Sequence, residues 1–141
     1  MTNIDFNFGM PAEYTTSRYS GWVSGGSMDV VSSGSPINLI TIGNKDFTFT
    51  GTSVTPNRAG VYLIMYRVDV TSTQTIGVSI FQNGKSLPQL TSSGVPANHF
   101  VGCSMAGLNA GDTVQMMFYG YTGTVTLAGG AGATLNIIRI A

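Results

Sequence analysis

Charge is what this 141-residue chain has least of. Six basic and six acidic side chains make up 9% of it and cancel, where an average soluble domain carries roughly 25%. A binder of nucleic acid or of an anionic membrane shows a basic excess, and this chain has none. Nor does any apolar run approach the ~18 residues of a membrane-spanning helix. Residues 1–14 lack the basic start and apolar stretch of a secretory signal. A single cysteine, Cys103, excludes an internal disulfide and so a disulfide-stapled scaffold. Glu occurs once and Lys twice, so the residues that build surface helices are nearly missing.

Strand formers fill the space. Val, Ile and Thr account for 39 residues, and β-branched side chains suit a pleated, half-buried surface. Nineteen glycines and five prolines punctuate the chain at short intervals, which predicts short strands and tight turns. Residues 47–50 alternate strictly as Phe-Thr-Phe-Thr, and 61–70 form the longest apolar strand pattern. Asn83-Gly84 lies between two extended runs, and a type I′ turn needs φ > 0 at both central positions, so a hairpin is expected there. Further strands are expected over 99–106, 112–121, 124–128 and 133–140, with turns at 108–111 and 129–132. Eight to ten short strands at this spacing predict an all-β sandwich or jelly roll. We divide the chain into an arm or edge strand over residues 1–11, where Ile4, Phe6 and Phe8 alternate, and one domain over 12–141.

Two strands are apolar on both faces. Along 61–70, Tyr62, Ile64, Tyr66, Val68 and Val70 share one side, while Val61, Leu63 and Met65 share the other. Near the C-terminus, Leu135 and Ile137 oppose Ile138 and Ile140. An antiparallel sandwich without covering helices wets its outer faces, so a second apolar face needs another subunit.

Four segments, in order, are Asn57-Arg58-Ala59-Gly60-Val61-Tyr62-Leu63-Ile64-Met65-Tyr66-Arg67-Val68, Ile80-Phe81-Gln82-Asn83-Gly84, Leu108-Asn109-Ala110-Gly111-Asp112-Thr113-Val114 and Gly132-Ala133-Thr134-Leu135-Asn136-Ile137-Ile138-Arg139-Ile140. Together they resemble the C1q/TNF-like superfamily. Within it they are most similar to the C-terminal globular domain of BclA-type proteins, the collagen-like filament glycoproteins of Bacillus spore surfaces. The match runs over residues 47–141. The collagen-like Gly-X-Y tract is not in this sequence. The resemblance implies a ten-stranded jelly roll assembled as a homotrimer; alternation then puts Val61, Leu63, Met65, Ile138 and Ile140 at the expected trimer interface. It implies no catalysis and no cofactor. It places the domain on a bacterial cell, spore or virion surface, as the knob of a fibre or filament with a structural or adhesive role.

Candidate sites are few. His99 is the only histidine, and no Gly-x-Ser-x-Gly elbow accompanies it, so a hydrolytic triad is not expected. The six carboxylates are scattered, giving no paired acid and base and no metal cluster. Asp112 reads as a turn residue. Cys103 alternates with small and apolar residues and has no basic neighbour, so it is expected as a buried strand thiol. The run 129–132 has no lysine or helix after it, so it reads as a turn rather than a phosphate loop. The one ligand-like cluster is Arg18-Tyr19-Ser20-Gly21-Trp22, where aromatic faces and polar groups could hold a sugar; Tyr119 and Tyr121 form a second. The alternative to a structural knob is therefore a carbohydrate-binding lectin or a phage-type receptor-binding tip, with a glycan or surface receptor as partner.

Overall fold

The computed structural model describes residues 17–92 and 95–141; the expected arm over 1–11 lies outside them. Thirteen strands follow in chain order: β1 (Arg18–Val23), β2 (Ser27–Val30), β3 (Ser35–Pro36), β4 (Ile40–Gly43), β5 (Phe47–Phe49), β6 (Val54–Pro56), β7 (Gly60–Gln74), β8 (Gly77–Gln82), β9 (Lys85–Ser92), β10 (Ala97–Leu108), β11 (Val114–Tyr119), β12 (Gly123–Thr126) and β13 (Ala133–Arg139). The excess over ten comes from β3, β5 and β6, which are only two or three residues long. All named pairings are antiparallel.

Two sheets make the sandwich. One runs β10-β7-β13-β1-β4, the other β5-β6-β11-β8-β9 with β3 paired to β11. Alternation along β7 sends Tyr62, Ile64, Tyr66 and Val68 into the core, where they meet Val78, Ile80, Met116 and Phe118 from the facing sheet. The Asn83–Gly84 turn forms as expected, with φ of 52° and 82°, between paired Gln82 and Lys85.

Gly102 shows how tightly neighbouring strands of one sheet pack their side chains. A Cβ there would lie 2.3 Å from Tyr66 Cε2, so the ring occupies the space that a side chain on β10 would fill. The Tyr66 hydroxyl hydrogen-bonds with Ser92 Oγ at 2.6 Å. Gln89 Nε2 donates to the carbonyl of Met105 (3.2 Å) and Ser92 Oγ to that of Val101 (3.4 Å). Side chains of β9 thus occupy carbonyls of the long edge strand β10, one way of blunting an open edge. The first described residue and the C-terminus lie at one pole: Arg139 N donates to the Ser17 carbonyl (2.9 Å) and Val61 N to that of Ala141 (3.0 Å).

Candidate assembly face

Register places the second apolar face in rows across all five strands. Val101, Arg67, Thr134, Trp22 and Ile40 stand side by side on β10, β7, β13, β1 and β4. The next row is Cys103, Met65, Asn136, Ser20 and Ile42, and after it come Met105, Leu63, Ile138 and Arg18. Val61 opposite Gly107 closes this end, and Ile140 follows two positions beyond Ile138. In one subunit Trp22, Ile40, Ile42, Val61, Val101 and Met105 are 37–62% exposed. Toward β4 the face sinks into a hollow of about 460 Å³ lined by Arg18, Ile42, Asn44, Met65, Asn136 and Ile138. Toward β10 it ends in Val101 and Met105, at 60% and 57% exposure.

All five residues expected at an interface therefore share this face or its margin. The expected ligand cluster does not hold together. Because β1 is a strand, Arg18 and Trp22 point to the outer face while Tyr19 points the other way. Tyr19 is 4% exposed, packed edge-on against Phe49 with centroids 5.6 Å apart. Burial pushes its hydroxyl up to about 12. Its ring packs in the core, although Tyr19 also borders the hollow beside Arg18. Tyr119 lies on the other sheet, covering Gly77, and Tyr121 accepts a hydrogen bond from Gln74 Nε2 at 3.3 Å. Cys103 is also corrected: Gly102 and Ser104 face inward beside the bulk of Tyr66, which leaves the Cys103 thiol exposed on the outer face.

Sequence reasoning missed a charged cluster at one end of the face. His99 lies opposite Asp69 across β10 and β7, and its Nδ1 pairs with Asp69 Oδ1. Arg67 Nε approaches Asp69 Oδ2 at 3.7 Å, and Arg67 Nη2 donates to the Ala131 carbonyl at 2.8 Å. Pairing register joins these two residues thirty positions apart. An acid beside an imidazole can act as an orienter and its base. Among the described residues no hydroxyl or thiol hydrogen-bonds to this ring.

A family model of the BclA C-terminal domain matches residues 21–141. The chain belongs to that family. No curated protein matches it significantly. Among solved structures, this BclA C-terminal domain is similar to murine APRIL, with 12% identity and a TM-score of 0.67 over 89% of this chain and 100% of that one. Pika GITRL gives 14% and 0.60 over 90% and 98%. Eiger TNF from S. frugiperda gives 15% and 0.60 over 89% and 92%. At such identities the likeness is one of fold, a TNF-like jelly roll, which agrees with the superfamily resemblance of the sequence.

Proposed function

We propose that this BclA-type domain is a non-catalytic trimeric knob. Its apolar sheet face joins three copies, and the assembled unit ends a fibre or filament on a bacterial, spore or virion surface. The supporting observation is the concentration of bare apolar side chains on one sheet face, from Ile40 on one edge to Met105 on the other. The hollow toward β4 and the exposed Val101 and Met105 on β10 are different surfaces, so two copies related by a rotation can meet head to tail. Repetition of such a head-to-tail contact closes a ring of three when the rotation is a third of a turn. Burial of a Leu, Val or Met side chain stabilises by roughly 1.5–3 kcal/mol, and symmetry repeats the gain in each subunit. Arg18 and Trp22 would enter that contact rather than meet a sugar, which favours a structural or adhesive role over lectin activity.

Light scattering at micromolar concentration tests the assembly. We expect a mass three times that of the 14.8 kDa chain, and a monomeric mass overturns the proposal. A glycan array on the assembled protein tests the rest. Selective retention that survives Trp22→Ala but not Tyr119→Ala would move the recognition surface to the other sheet.

A further inference from the structure

We propose that Asn83 is a latent self-modification site, an Asn-Gly pair held unreactive by the turn at Asn109–Thr113, and that its deamidation would prevent this corner from closing again. The chemistry needs only solvent. The Gly84 nitrogen attacks Cγ of Asn83, and an N–Cγ bond forms as Cγ–Nδ2 breaks. Nδ2 leaves as ammonia with the proton from the Gly84 amide. Water then opens the cyclic imide at either carbonyl, leaving aspartate or iso-aspartate. The hairpin tip is accessible to water: Asn83 and Gly84 are exposed, and nothing lies within 4 Å of where a Gly84 Cβ would stand.

Three hydrogen bonds oppose the attack. Asn83 N donates to the Thr113 carbonyl (2.8 Å), and Thr113 N returns a bond to Asn83 Oδ1 (2.8 Å). Asn83 Nδ2 donates to Asp112 Oδ1 at 3.0 Å. Both ends of the carboxamide are therefore tied to another turn, thirty positions along the chain, so its plane cannot swing toward the Gly84 nitrogen. Asp112 is itself anchored, its Oδ2 accepting from Asn109 N (2.8 Å) and Gln82 Nε2 (2.9 Å). The site reacts only when this corner opens. Deamidation would then replace the Nδ2 donor with a carboxylate facing that of Asp112, and two like charges in place of a hydrogen bond oppose reclosure.

The full chain and a peptide of residues 80–87 are held together in mildly alkaline buffer, with Asn83 followed by peptide mapping and an iso-aspartate assay. Reaction through rare local openings slows in proportion to the open fraction, so the native chain should react at least ~10-fold more slowly than the peptide. Asp112→Ala should move the rate toward that of the peptide. A native chain that reacts as fast as the peptide overturns the proposal. So does an Asp112→Ala variant with the native melting curve that reacts as slowly as the native chain. If Asp112→Ala fails to fold, the native-to-peptide ratio decides the protection. Asn83→Asp, which carries the product charge, decides the rest: a lowered melting temperature is expected, and an unchanged one overturns the block to reclosure.

Discussion

The two sheets bury equally apolar inner faces yet finish their outer faces differently. On the six-stranded sheet, Thr48, Thr55, Gln115 and Thr91 point outward, and the large apolar groups among them cover one another. Phe81 is 9% exposed there, edge-on to Tyr119 with ring centroids 6.0 Å apart. Its neighbour Ser79 is fully buried and hydrogen-bonds with Thr91 Oγ1 at 2.7 Å. On the five-stranded sheet Val, Leu, Ile and Met share the outer face with Trp22 and a few polar side chains, and Ile42 and Val101 remain 62% and 60% exposed. One outer face is completed within the subunit. The other stays bare within the subunit, and the assembly proposed above would cover it.

The largest expected effect comes from placing a charge on each face in turn. Leu63→Lys puts an ammonium into the seam, where an unpaired buried charge costs several kcal/mol; we expect monomer, aggregate or unfolded chain by light scattering. Gln115→Lys on the opposite face should leave mass and melting temperature within the ~0.5 kcal/mol usual for surface changes. A Leu63→Lys protein with unchanged mass and melting point would erase the contrast between the faces.

Gly102→Ala comes next, because its Cβ collides with the Tyr66 ring. Overpacking of this kind costs ~1–3 kcal/mol, read as a lower denaturant midpoint. Tyr119→Leu removes the edge-on partner of Phe81 and should cost ~0.5–1.5 kcal/mol beyond area burial, with no change in mass. A change of mass would mean that the six-stranded face also takes part in assembly.

The smallest effect is one of pH. The Asn109 amide first, then the Asn83 and Gln82 side chains, hold the Asp112 carboxyl below its usual range. A carboxyl lowered by folding stabilises above its unfolded value of about 3.9, and that contribution disappears as pH falls through the lower folded value. Melting scans into that acid range should therefore fall less steeply for Asp112→Asn than for the native chain. Equal slopes would remove Asp112 from the acid response.

Much of this was legible in the residues. Alternation along 61–70 fixed which side chains of β7 face in and which face out, because a pleated strand allows no other choice. The Asn83-Gly84 hairpin followed from the φ values that a two-residue turn demands. What failed were inferences from proximity in sequence. Arg18, Tyr19 and Trp22 are close along the chain but a strand sends Tyr19 to the opposite side. His99 and Asp69 are far apart in sequence and meet only through the β7–β10 register. Cys103 was misplaced because small neighbours suggested a crowded strand, whereas Gly102 is small to admit the Tyr66 ring.

The first described residue, Ser17, leads directly into β1, which is held between β13 and β4 rather than at an edge. Tension entering at Ser17 pulls β1 along its own axis, so the ladders on both sides are loaded together in shear instead of opening one bond at a time. Arg139 and Ala141 sit at the same pole, bonded to Ser17 and Val61, so a force applied at Ser17 or at the C-terminus enters there. The opposite pole, with the 129–132 turn and the Asp69–His99 pair, stays out of the line of pull. A tether at that shared pole can therefore be strained by flow or contact while the far surface keeps its shape.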